Sequence, residues 1–164
     1  FAEGAHEAFD PTGGRNGLII DLSGVQLDSV KKAASSFVLR KVYRDMFFWE
    51  QDSTMKLNIV LDEAHRVLQD KTLPKLLKEG RKFGVSVVAA SQSMADFSKQ
   101  VVDNVGTKIV FRTNYPNSKS AANLIRGRDG RDLSKNIEQL SVGEAYVSTP
   151  TLVIARLTKM RNDS

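Results

Sequence analysis

The sequence contains no cysteine, only four prolines, two histidines and a single tryptophan in 164 residues. Without thiols there are no disulfides, no cysteine-ligated zinc and no thiol catalysis. The same lack leaves the redox compartment open, because a chain without thiols suits either environment. No apolar stretch approaches the about 20 residues that cross a bilayer as a helix. The first residues carry neither the basic n-region nor the apolar h-region of a secretory signal, so a soluble, cytoplasmic protein is the expectation. Internal repeats and low-complexity segments are also missing. What is present is 41% apolar and 26% charged, with eight phenylalanines, which supplies enough apolar surface to offset the entropy of ordering. The length suits one domain with a sizeable core. Lys and Arg number 24 against 19 Asp and Glu, a formal charge of +5; a polyanion is a reasonable partner for such a modest excess.

Residues 1–16 combine Gly, Pro, Asp and Asn with no helical or strand period and read as a lead-in. Four short apolar runs follow: Gly17–Leu22, Leu57–Leu61, Val85–Ala90 and Lys108–Arg112. A long helical pattern separates the first two, from about Asp28 as N-cap to Glu50, with Val30, Ala34, Phe37, Val38, Val42 and Met46 at three- and four-residue spacing. Pro74 suits the first position of a helix running to Phe83, which Gly84 ends in a left-handed conformation. Helices are expected around Phe97–Val105, Ser118–Arg126 and Ser134–Leu140, with a Gly/Arg/Asp loop at Gly127–Asp132. Ala145–Ser148 and Leu152–Leu157 alternate around Thr149-Pro150 and predict a hairpin. Short runs alternating with helices predict an α/β fold with a mostly parallel sheet flanked by helices, whose function collects at the carboxyl ends of the strands.

The second run ends in Asp62-Glu63, followed by Ala64-His65-Arg66. A strand delivering two adjacent carboxylates to its edge is the Walker B arrangement of nucleoside-triphosphate hydrolases. The first carboxylate holds Mg2+, usually through water, and the second orients and polarises the attacking water. Read structurally, the same pair merely starts a helix, where acids favour the positive end of the dipole. The third run ends Ala89-Ala90-Ser91-Gln92-Ser93, which puts an amide at the edge of the strand expected beside the Walker B strand. That amide can bond the attacking water or a γ-phosphate oxygen, or serve only as a turn residue. Between them, Lys75 to Lys82 carries four cations in eight positions, ordinarily a solvated helix face; Arg81, near its end, offers a planar guanidinium suited to phosphate. Arg112, ending the fourth run, is a second such arginine.

GLIIDLSG, IVLDEAHR, KEGRKFGVSVVAASQS, NVGTKIVFRTN and LSVGEAYVSTP occur in the order found in the HerA branch of the HerA–FtsK ATPases, which this sequence resembles over roughly residues 17–158. These are hexameric RecA-like motors that move DNA. The resemblance implies that Asp62 is the Walker B aspartate holding Mg2+, Glu63 the catalytic glutamate and Gln92 the polar sensor. It makes Arg81 the arginine acting on ATP, across a subunit interface, with Arg112 second; Asp21 and Ser23, in the DLSG turn, have a supporting role. One part of the pattern is missing. No G-x-x-x-x-G-K-[ST] string occurs, and without it no backbone cradle wraps the phosphates. Gly13-Gly14-Arg15-Asn16-Gly17 has neither the Lys nor the hydroxyl. Residue 1 is Phe, and the expectation is an incomplete core, the C-terminal part of a RecA-like domain at 17–158 with a tail at 159–164 and the P-loop half upstream; alone it should not hydrolyse ATP.

DNA, a homo-oligomeric, hexameric ring and a nuclease are the partners this resemblance implies. The segment Ser93–Asp103 after the sensor strand has only Lys99 as a cation, and Arg126–Arg131 is diluted by aspartates, so it reads as a surface or interface loop before a DNA loop. Phe97 is the one aromatic in the two segments and no series of aromatics alternates with the cations, so contact would be electrostatic and not sequence-specific. His65 lacks ligand-spaced partners and reads as a packing residue; Phe47, Phe48 and Trp49 read as core or interface, and Phe9 as an anchor for the lead-in. Asp62-Glu63-Ala64-His65 also spells the DEAH string of superfamily 2 helicases, but only about 60 residues separate it from Arg126, too few for the second RecA-like domain that class requires. A non-catalytic oligomerisation or adaptor module is the remaining alternative.

Overall fold

The computed structural model describes residues 17–51, 54–67, 70–125, 131–152 and 154–160. The chain divides into two compact units, Phe1–Ser91 and Gln92–Ser164.

In the first unit, α1 (Asp28–Asp45) leads through a 3-10 turn at Met46–Phe48 to strand β1 (Leu57–Leu61). After a second 3-10 turn at Ala64–Arg66 come α2 (Thr72–Glu79), a 3-10 turn at Gly80–Phe83 and β2 (Val85–Ala89). The two strands are parallel and in register from Leu57↔Val85 to Leu61↔Ala89, so α2 is the crossover of a βαβ unit. Helix α2 and its 3-10 extension pack on β2, and α1 packs on α2. The core of this unit is Leu39, Val42, Met46, Ala64, Val67, Leu73, Leu76, Phe83 and Val85. Asp70, buried behind it, accepts from the Thr72 N–H at 2.8 Å and from Arg40 at 3.2 Å, joining α1 to the start of α2. Tyr43 donates to Glu79 at 3.1 Å, and Phe47 stacks edge-on with Tyr43 and Phe83. The opposite side of the strand pair presents Val60 and Val88, directly paired and both more than half exposed.

In the second unit α3 (Lys99–Asn104), β3 (Lys108–Val110), α4 (Asn117–Leu124), α5 (Ser134–Glu138), β4 (Glu144–Ser148) and β5 (Arg156–Lys159) follow in order. The sheet runs β3-β4-β5, both pairings antiparallel. Ala121, Ala122, Ile125 and Ile137 form its core, with Val110, Leu133 and Tyr146 packed against them. The buried Ser118 hydroxyl donates to Glu138 at 2.5 Å and ties α4 to α5. Lys119 bonds Asp132; that ammonium first, then the Ser134 N–H, holds the Asp132 carboxyl down to about 2.

The α/β class expected from the sequence is the one observed, with the parallel pairing confined to β1–β2 among the described residues. Several local expectations are corrected. Gly17–Leu22 forms no strand, and Leu18, Ile19 and Ile20 are exposed; an apolar run becomes a strand only where a neighbour supplies its ladder partners. Helix α1 stops at Asp45, and its N-cap is Leu27, with Asp28 inside the first turn, where its charge still suits the dipole. Its buried stripe is Leu39, Val42 and Met46, while Val30 and Phe37 are exposed. Positions 37 and 39 lie about 200° apart round a helix, so the pattern held two stripes and only one is covered. Helix α2 starts two residues before Pro74, which sits within the first turn where its missing N–H costs nothing. The hairpin's second strand starts at Arg156, because Leu152 N–H first closes a turn onto Thr149 at 3.1 Å. The Gly/Arg/Asp loop and Phe9 lie outside the described residues, the loop apart from Arg131 and Asp132.

Candidate functional site

The two carboxylates leave the sheet at the carboxyl end of β1. Parallel pairing should continue there, but Asp62 and Glu63 are extruded from it. Ala90, just past β2, donates its N–H to the Leu61 carbonyl at 2.9 Å and accepts the Ala64 N–H on its own carbonyl at 2.8 Å. One residue beyond β2 thus grips the chain on either side of the acidic pair. Making that excursion in two residues forces Glu63 into the left-handed region, φ 46° and ψ 47°. For a residue with a side chain this costs about 1–2 kcal/mol. The offset comes from the two Ala90 bonds, from Asp62 Oδ1 accepting the Glu63 N–H at 2.9 Å, and from Ala64, buried to 1% exposure. The result is two solvent-exposed carboxylates on a pinned turn, a geometry a simple helix start does not need.

His65, next in the chain, is exposed rather than packed. Among the described residues no group of three or more His, Asp or Glu side chains is arranged to hold a metal. Mg2+ needs no such group, since it keeps most of its waters and takes one or two carboxylates together with substrate phosphates. Asp62 meets that requirement: one oxygen is engaged by the Glu63 N–H, and the exposed carboxylate can still accept from a water on the ion.

Arg81 occupies the other end of the strand pair. It lies in the 3-10 turn that enters β2, beside Gly84, whose carbonyl accepts from the Lys56 and Leu57 N–H groups at the start of β1. Arg81 is exposed. Five residues of strand, about 13 Å from first to last Cα, separate this edge from the edge bearing Glu63, which is beyond the reach of a guanidinium within one chain. The structure therefore does not bring Arg81 to Glu63 of the same chain.

Gln92 opens the second unit and is exposed. It is followed by a 3-10 turn capped by the Ser93 hydroxyl, which accepts the Ala95 N–H at 3.2 Å and bonds Asn117 at 3.4 Å. Arg112 stands exposed just beyond β3. Asp21 and Ser23 form an exposed turn ahead of α1, the Ser23 N–H donating to Asp21 at 2.8 Å. That bond, from backbone first, lowers the Asp21 pKa. In the Ser93–Asp103 segment, Lys99 is paired with Asp103 at 2.6 Å, so its one cation is already matched. Sequence reasoning missed Ala90. Its part is played by backbone groups, and no residue type signals that.

The sequence signature of the type IV secretion-system coupling protein DNA-binding domain matches residues 13–159. A probable helicase, MJECL08, of Methanocaldococcus jannaschii is 31% identical over 110 residues, 63% of this chain and 21% of its own length. The DNA double-strand break repair helicase HerA of Saccharolobus solfataricus is 28% identical over 140 residues, 79% of this chain and 28% of its own. Among solved structures, the plasmid coupling protein TrwB in complex with ADP and Mg2+ superposes with a TM-score of 0.70 at 16% identity, over 84% of this chain and 38% of that one. The genome packaging NTPase B204 of Sulfolobus turreted icosahedral virus 2, in complex with AMPPCP, reaches 0.54 at 15% identity, over 83% of this chain and 62% of that one. The chain thus spans between a fifth and a third of the length of these curated relatives.

Proposed function

We propose, from the premise that this chain belongs to the type IV secretion-system coupling protein DNA-binding family and is HerA-type within the HerA–FtsK superfamily, that it is the C-terminal part of the RecA-like core of an ATP-driven DNA translocase. Residues 17–158 are that part, with 1–16 as lead-in and 159–164 as tail. The observation that carries the reading is the pinned, left-handed turn at the carboxyl end of β1, which projects Asp62 and Glu63 into solvent. Bound nucleotide supplies the phosphoanhydride bond, and Asp62 would hold its Mg2+ through water. Glu63 orients a water and draws its proton as that water attacks; its fixed backbone keeps the carboxylate where the nucleophile must lie. Gln92 is assigned the sensor role. Arg81, at the far edge of β2, serves the site of a neighbouring copy in a ring, with Arg112 as the second arginine; Asp21 and Ser23 support the turn before α1.

The phosphate-cradling string is not among these 164 residues, so the reading requires polypeptide outside them to contribute a P-loop. In the P-loop-containing protein, Glu63→Gln should keep nucleotide affinity within about twofold and lower turnover by at least about a hundredfold. Fluorescent-nucleotide titration and phosphate release measure the two quantities, and undiminished turnover rejects the assignment. Arg81→Ala subunits mixed with Glu63→Gln subunits should recover activity only if the arginine acts in trans.

A further inference from the structure

Between residues 71 and 82, every exposed position is a cation: Lys71, Lys75, Lys78, Arg81 and Lys82. The intervening positions are half-buried or buried, with Leu73, Leu76 and Gly80 buried. The acids nearest in sequence are engaged elsewhere: Asp70 is buried and holds Arg40, and Glu79 accepts from Tyr43. Elsewhere some helical cations are matched with carboxylates, Lys41 with Asp45 at 2.7 Å and Lys99 with Asp103 at 2.6 Å. Along this segment none of the five is ion-paired among the described residues. Spacings of four, three and four residues put the four lysines on one side of α2 and its 3-10 extension, a stripe about 17 Å long. Five is also the chain's whole formal excess of positive charge.

A solvated helix face ordinarily mixes signs, because opposite charges four apart stabilise the helix while like charges four apart repel. This helix bears that repulsion unrelieved along its exposed side. A duplex carries one charge per about 1.7 Å of axis counting both strands, so a length equal to the stripe carries on the order of ten phosphates, part of them on the side that faces it. With no aromatic exposed between the cations, the surface has nothing on which to stack bases and fits a backbone rather than single-strand bases.

We infer that the Lys71–Lys82 face of α2 is a docking surface for the phosphate backbone of duplex DNA, read without regard to sequence. It rests on the DNA-motor reading above and adds to it the element that touches DNA, which neither Ser93–Asp103 nor Arg126–Arg131 supplied.

The test is fluorescence anisotropy of the 164-residue chain with a labelled mixed-sequence duplex about 30 base pairs long, between about 50 and 200 mM salt. Lys71→Gln/Lys75→Gln/Lys78→Gln leaves Arg81 untouched and keeps good helix formers. A second triple variant, Lys32→Gln/Lys135→Gln/Lys159→Gln, removes the same charge at exposed positions elsewhere. The α2 variant should bind at least about tenfold more weakly at low salt, with the slope of log K against log salt reduced by about 3, and the control should fall less than about threefold. Circular dichroism verifies that both variants fold. Equal losses in the two variants, or none in the first, overturn the stripe and leave the motor reading standing. No DNA binding by the parent chain overturns the stripe and the DNA part of that reading together, whereas the Glu63→Gln result bears on the nucleotide site alone. Loss of binding in the α2 variant at low salt only for an acidic polypeptide such as polyglutamate, with DNA unaffected, assigns the surface to a protein partner and rejects the proposal.

Discussion

Gly84 has φ +75° and sits where the backbone of one strand's entry meets that of the next. A Cβ placed there would lie 2.3 Å from the Thr54 carbonyl oxygen and 3.0 Å from the Lys56 nitrogen, both backbone atoms that cannot swing aside. The left-handed conformation and the collision add, so Gly84→Ala should cost about 2–4 kcal/mol in urea unfolding. A loss below about 0.5 kcal/mol would show that the Lys56–Gly84 contact is not formed. Glu63 presents the opposite case, a residue with a side chain accepted in the region glycine prefers. Glycine there would be easier for the backbone, but the carboxylate would be lost, and residues held in unfavourable conformations cluster at functional sites. The glycine was legible in the sequence as a helix end. The glutamate was legible as chemistry, while its backbone conformation was not, because that arises from two hydrogen bonds to Ala90, 27 positions away.

Helices α1 and α2 meet through Asp70. Burial alone raises its pKa, but the Thr72 N–H and hydroxyl, the Ser36 hydroxyl and the Arg40 charge outweigh it and hold the carboxyl below its ordinary value of 3.8. A carboxylate depressed in the folded state contributes stability that is complete above its unfolded pKa and is lost as pH falls through the native one. The urea midpoint of the wild-type chain should therefore decline from about pH 5 downward. Asp45 and Asp132 are lowered as well, so the diagnostic quantity is the difference between wild type and Asp70→Asn. That difference should be about 1 kcal/mol near neutrality, because the amide still accepts from Thr72 but carries no charge, and should close as pH falls below the ordinary carboxylate range. A constant difference would mean that Asp70 does not titrate through the native state. At this scale the sequence located α3, α4 and α5 to within about two residues, the ordinary precision at element ends, whereas α2 gives way to a 3-10 turn at Gly80, before the expected end at Phe83. The sequence did not separate the two stripes of α1, since both have the same period and only the packing of α2 chooses between them.

For the whole molecule, the two units divide the assigned residues: Asp62, Glu63 and Arg81 fall in the first, Gln92 and Arg112 in the second. Hydrolysis needs the phosphate cradle besides, and no such string is present in the chain. Purified alone, these 164 residues should release no phosphate from ATP above a buffer blank, even with DNA added. Turnover at a motor-like rate of about 1–100 per second would mean that another part of the chain cradles the phosphates.

Composition, apolar periodicity and motif order determined by themselves the α/β class, the adjacency of β1 and β2, and the residue types at their carboxyl ends, because these depend on side-chain chemistry and on local repeat. The tertiary structure alone decided the rest. It placed Arg81 about a strand length from Glu63, left Leu18–Ile20 outside the ladder, and turned a run of lysines into a face bearing a single sign of charge. Each of these depends on which distant backbone supplies a hydrogen bond and which surface an element buries, and neither is encoded in the neighbours of a residue along the chain.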